Sequence, residues 1–112
     1  AARAERAPTR SRHTAHPLPT PSPLSQIIVD FTATWCGPCR MIGPYFDELS
    51  SEFPRVTFLK VDVDANATVA ALAGVNAMPT FQVYRDGAKV AELVGAAKDK
   101  LKALCEEHQG TA

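Results

Sequence analysis

Residues 35–39 read Trp-Cys-Gly-Pro-Cys. Two thiols set two residues apart can ligate a metal, close a structural bond, or exchange electrons with another disulfide. A bond between Cys36 and Cys39 would close too small a ring to constrain the unfolded chain appreciably, so a purely structural role is the weakest of the three. Zinc would need two more ligands. Cys105 and His108 supply the spacing for a Cys₃His set with Cys36 and Cys39, but they fall on a C-terminal helix far along the chain. Electron exchange fits best. A cysteine at a helix N-terminus meets unpaired backbone N–H groups and the positive end of the helix dipole, and both favour the nucleophilic thiolate. A second cysteine one turn further in lies beneath the first and can resolve a mixed disulfide. Pro38 restricts the backbone between the thiols, and Gly37 lets another chain approach closely.

The elements around the motif support this placement. Residues 27–33, Ile-Ile-Val-Asp-Phe-Thr-Ala, form a β-branched and aromatic run of the kind that makes a strand buried on both faces. Asp30 interrupts it, and a carboxylate in an apolar strand is costly unless it is paired or protonated. Its pKa should rise, which suits a general base near neutral pH; the plainer alternative is a structural carboxylate bonded to backbone. Residues 36–53 place Met41, Ile42, Tyr45, Phe46, Leu49 and Phe53 at helical spacing, with Pro44 as a kink and Pro54 as the stop. A second strand is expected at 56–64 and a short helix at 66–74, closed by Gly74. Residues 80–95 read as a hairpin turning at Asp86-Gly87, and 98–109 as a last amphipathic helix. Cys105 on that helix reads as a small packed hydrophobe, or as a regulatory thiol if exposed. The order β-α-β-α-β-β-α predicts two parallel strands joined by a helix, antiparallel strands from the hairpin, and helices on both faces of a mixed four-stranded sheet.

Residues 1–26 differ in kind. They hold five of the nine prolines among Ser, Thr and Arg, and show no periodicity. They read as a disordered or polyproline-like segment, a linker or the remnant of an organelle-targeting peptide. The domain proper is expected over 27–109. The chain is formally neutral, but four arginines against one glutamate make residues 1–26 net positive and leave the body mildly acidic. That argues against a nucleic-acid surface. No run of apolar residues is long enough to span a bilayer. With 112 residues, 46% of them apolar, the chain can bury one core without disulfide staples.

The run VDFTATWCGPCRMIGP, followed by FLKVDVD, VNAMPTF and DGAKVAELVGA, strongly resembles thioredoxin, most of all the eukaryotic cytosolic and plant h-type branch. The resemblance covers about residues 27–108. It implies a thioredoxin-like three-layer α/β/α fold and a protein-disulfide reductase that cycles a Cys36–Cys39 disulfide. It implies Cys36 as nucleophile and Cys39 as resolving thiol. Asp30 would be the buried carboxylate that exchanges the Cys39 proton, with Lys60 as its charge partner from the neighbouring strand. Pro79 would be a cis-proline facing the disulfide. Trp35, Gly74, Val75, Met78, Thr80 and Gly95 would border the groove for a partner polypeptide. Trp35 as plain core and Lys60 as an ordinary strand residue are the bland alternatives.

The same resemblance implies no bound cofactor. Electrons would come from a thioredoxin reductase, NADPH- or ferredoxin-linked, and the partners would be that reductase and disulfide-containing target proteins. A monomer in the cytoplasm is expected, or one in a plastid or mitochondrion if residues 1–26 are a transit-peptide remnant. The family begins with a further strand and helix, where this chain carries its Pro-rich segment. An exposed sheet edge at 56–62 is therefore expected, with lower stability, or else a fragment of a longer precursor. The rival to catalysis is a redox-inactive binding module.

Overall fold

The computed structural model describes residues 5–6 and 26–109. The elements are β1 (Glu5–Arg6), β2 (Gln26–Thr32), α1 (Gly37–Glu52), β3 (Val56–Asp62), α2 (Ala67–Leu72), β4 (Thr80–Arg85), β5 (Ala88–Val94) and α3 (Lys98–Glu107). The sheet order is β1-β3-β2-β4-β5. β2 and β3 run parallel, while β4 pairs antiparallel with β2, and β5 antiparallel with β4. The mixed four-stranded sheet expected from the sequence is present. Residues 5–6 add a two-residue antiparallel partner to β3, opposite Lys60 and Leu59. The edge expected to be open is therefore paired at those two positions. Apart from these two residues and Gln26, the segment read as disordered lies outside the described residues.

The alternation of β2 divides its side chains between two helix layers. Ile28 joins Phe58, Phe81 and Val83 beneath Ile42, Phe46 and Leu49 of α1 and Leu101 and Cys105 of α3. Val29 and Phe31 face the other way, against Val61 and Ala70 of α2. This is the three-layer α/β/α arrangement. Phe46 is the hub of the first layer. Its ring lies 5.1 Å from Phe58, edge-on, and 5.7 Å from Phe81. Fully buried aromatics each remove a large apolar area from water, and their pairing adds about 0.5–1.5 kcal/mol beyond that burial. This core fixes the axis of α1, and with it the position of the thiols at the N-terminal end.

The hairpin turns where the sequence says it must. Asp86 and Gly87 have φ of 52° and 84°, both in the left-handed region. Two positive φ values in a two-residue loop match the right-handed twist of the flanking strands. Pro44 sits inside α1, which continues through it.

Candidate active site

The two thiols stand where β2 hands the chain to α1. β2 ends at Thr32, and the turn is closed by the Cys36 N–H donating to the Ala33 carbonyl at 3.2 Å. Cys36 is the N-cap of α1, with extended backbone, and Pro38 lies in the first turn, where its missing N–H costs nothing. The Cys39 N–H donates to the Cys36 sulfur at 3.2 Å. A residue at this position accepts an otherwise unpaired helix N–H. Here the acceptor is sulfur, and the donor is the backbone of the second cysteine. Cys36 and Cys39 are joined as a disulfide. Both are buried, and they pack in a small cluster with Ala33, Val63 and Met78.

A second segment closes over the pair. The Met78–Pro79 peptide is cis, the geometry that the family resemblance implies for Pro79. The Met78 carbonyl oxygen lies 3.7 Å from the Cys36 sulfur. The loop is braced from two sides. The Thr80 hydroxyl donates to the Ala77 carbonyl at 2.6 Å, and the Gly95 N–H donates to the Pro79 carbonyl at 2.9 Å. Gly95 has φ of 109°, which an L side chain rarely adopts, so glycine is required for this approach. Gly74 and Val75 lie where α2 runs into the same loop. Val75 packs with the α2 cluster rather than with the thiols.

Trp35 is not core. It is 63% exposed, and its indole N–H donates to an Asp64 carboxylate oxygen at 2.8 Å. Asp64 is itself placed by a turn, its N–H donating to Asp62 at 2.8 Å. Asp64 was not singled out from the sequence. The acid-rich stretch Val-Asp-Val-Asp that contains it was read as strand, and nothing local marks it as the partner of a residue 29 positions earlier.

Beside Cys39 lies a cavity of about 360 Å³, bordered also by Asp30, Arg40, Asp47 and Lys60 among others. Asp30 is 1% exposed, and its Oδ1 has no hydrogen-bond partner among the described residues. Burial pushes its pKa up to about 7; the Lys60 ammonium pulls it down and the Asp47 carboxylate pushes it up. Asp30 and Lys60 are register partners on adjacent parallel strands, so both project into the same space. The family resemblance implies Lys60 as the charge partner of Asp30, and its charge does act on that carboxyl. The ion pair of Lys60 is with Asp47 of α1, at 2.8 Å, so it acts on Asp30 only through its field. Asp47 was missed because it reads as one more acid on the polar side of an amphipathic helix. Only the packing of α1 against β3 reveals its partner.

The third cysteine and His108 are elsewhere. Cys105 is buried in the layer under α1, and His108 is half-buried at the end of α3. Among the described residues, no group of three or more His, Cys, Asp or Glu side chains could hold a metal ion. No helix among them is long and apolar enough to cross a membrane.

Comparison with known proteins places this geometry. The family model described as Thioredoxin matches residues 21–107. A thioredoxin H-type of Chlamydomonas reinhardtii is 64% identical over 83 residues, 73% of this chain and 74% of the relative. The thioredoxin of Ovis aries is 53% identical over 81 residues, covering 72% of this chain and 77% of its own. Among solved structures, Fasciola hepatica thioredoxin superposes with a TM-score of 0.74 at 48% identity, covering 75% of this chain and 81% of that one.

Proposed function

The chain belongs to the thioredoxin family, is a dithiol protein-disulfide reductase of h-type likeness, and on that premise we propose how its residues divide the reaction. Reduced Cys36 attacks one sulfur of a target disulfide. A bond forms between Cys36 and that sulfur, the target's sulfur–sulfur bond breaks, and the other target sulfur leaves as a thiolate that takes a proton. Asp30, in its carboxylate form, accepts the proton of the Cys39 thiol across the cavity they share. The Cys39 thiolate attacks the Cys36 sulfur and expels the second target sulfur. The products are the Cys36–Cys39 disulfide and a target dithiol; two electrons have passed from protein to target.

The observation that carries this reading is the position of Cys36. Its sulfur caps α1, accepts the Cys39 N–H, and lies under the Met78 carbonyl. The helix terminus and that N–H both favour negative charge on Cys36. The second thiol is one turn deeper, towards the only carboxylate held at 1% exposure among the described residues. A base with a pKa of about 7 accepts a proton at neutral pH and also gives it back, as both directions of the exchange need.

Family membership implies disulfide-containing target proteins and a reductase as partners. We assign the groove for the target polypeptide to exposed Trp35 and to the loop around Met78, Pro79 and Thr80, with Gly74, Val75 and Gly95 beside it. Two electrons and two protons must return to Cys36–Cys39 in each cycle, and a thioredoxin reductase, NADPH- or ferredoxin-linked, supplies them. The protein acts as a monomer and without a bound cofactor of its own. The h-type likeness supports the cytoplasm as its location; a plastid or mitochondrial site would require residues 1–26 to act as a transit-peptide remnant.

The mechanism is tested by trapping. Cys39→Ser, mixed with insulin after reduction, should accumulate a covalent complex through Cys36, visible by mass spectrometry and released by dithiothreitol. Cys36→Ser should form none. A complex that forms through Cys39 or Cys105 instead would reverse the assigned roles.

A further inference from the structure

The assignment of Asp30 as proton acceptor, on which this inference rests, raises a question of charge. Lys60 stands beside Asp30 in register, on the same face of the sheet. It could satisfy the buried carboxylate directly, yet its nitrogen is 2.8 Å from Asp47 Oδ1, and Asp30 Oδ1 stays without a partner among the described residues. The groups around the cavity that carry or can carry charge are Asp30 on β2, Lys60 on β3, and Cys39, Arg40 and Asp47 on α1. β4 presents Phe81 beside Asp30.

We propose that Asp47 is a positioning residue for the proton transfer: by holding the Lys60 ammonium against α1, it keeps that cation from pairing with Asp30 and so keeps Asp30 basic enough to take the Cys39 proton. A direct Lys60–Asp30 pair would favour the charged carboxylate and make it a poorer base. Asp47 opposes this in two ways. It competes for the ammonium, and its own negative charge raises the proton affinity of Asp30. Both effects have the same sign, so the consequence of removing Asp47 is fixed in direction. The proton involved leaves Cys39 Sγ and arrives on an Asp30 oxygen; Lys60 and Asp47 exchange no proton in the step.

The test is a titration of the Asp30 side-chain carboxyl by ¹³C NMR in the oxidised protein, across the wild type, Asp47→Asn, Asp47→Glu, Lys60→Met and the double variant Asp47→Asn/Lys60→Met. Asp47→Asn is isosteric and half-exposed, and should leave the fold unchanged. It should lower the Asp30 midpoint by about half a unit or more, the scale of one nearby charge. Asp47→Glu should restore the wild-type midpoint, and Lys60→Met should raise it. In the Lys60→Met background, the Asp47→Asn shift should shrink, because part of it acts through Lys60. The rising limb of the pH–rate profile for target reduction should move with the midpoint. An Asp30 midpoint that stays put or rises in Asp47→Asn would overturn the inference. The reading of Asp30 as base fails separately, if Asp30→Asn leaves the rate and its pH profile unchanged.

Discussion

Cys36 and Cys105 are the same side chain on two helices of one small protein, both buried, and their surroundings give them opposite chemistry. Cys36 is the N-cap of α1, where a backbone N–H points at its sulfur. Cys105 is in the body of α3, among Phe46, Leu49 and Leu101, in the layer that holds the helices to the sheet. Burial, with Glu52 and Glu106 nearby, pushes its thiol up to about 12. The difference lies in what each sulfur faces. One meets unpaired donors at a helix end, and the other meets hydrocarbon and two carboxylates. Burial alone therefore does not silence a thiol. What matters is whether the polar groups buried with it favour its anion.

The widest separation should appear in alkylation. With the protein reduced at pH 7.5, iodoacetamide should modify Cys36 faster than Cys105 by about a thousandfold or more, since only the thiolate reacts and Cys105 is almost never ionised there. Peptide mass spectrometry over time would read both rates from one sample. Comparable rates would erase the contrast.

The next effect concerns Asp30, the carboxylate buried beside the reactive pair. Its folded pKa, about 7, lies above its value of 3.8 in the unfolded chain. The folded state therefore binds the proton more tightly. The stability from the protonated form is complete below about pH 4 and is lost as pH rises towards 7. At pH 8 the loss amounts to at most about 4 kcal/mol. Asp30→Asn should thus be more stable than the wild type at pH 8, and the gap should close on going to pH 4, as measured by urea unfolding. The same variant should reduce targets about tenfold or more slowly. A gap that widens towards acid would contradict the burial argument.

Smaller effects fall at the other thiol. Cys105→Ala should lower stability by about 1 kcal/mol through lost packing, and Cys105→Ser by about 2 kcal/mol, because it buries a hydroxyl among apolar side chains. Urea midpoints would show both. A serine variant more stable than the alanine variant would mean that the site is polar.

The same contrast marks what could be read from the sequence. Cys36, Cys39, the strand that carries Asp30, the Asp86-Gly87 turn and the helix faces were legible, because each depends on residues close together in the chain. The cis bond before Pro79 was legible only through family resemblance. The charge pair was not. Lys60 was assigned to Asp30 through family resemblance alone, and neither that resemblance nor the local sequence shows a third charge rising from α1. Asp47 looks no different from Glu48 until the fold packs α1 against β3 and brings it to Lys60. The Asp64 bond to Trp35 and the Gly95 brace on Pro79 were hidden for the same reason: each joins segments brought together only by the finished fold. Two-residue pairing at Glu5–Arg6 leaves no periodicity to detect, so the edge of β3 was expected to be open along its whole length.

The most direct measurement is insulin-disulfide reduction driven by dithiothreitol, comparing the wild type with Cys36→Ser and Cys105→Ala, with circular dichroism on the same samples. Wild-type and Cys105→Ala proteins should be active, and folded Cys36→Ser should fall to the rate of dithiothreitol alone. Activity that survives in Cys36→Ser, or that vanishes in a folded Cys105→Ala, would contradict the assignment of the redox chemistry to the end of α1.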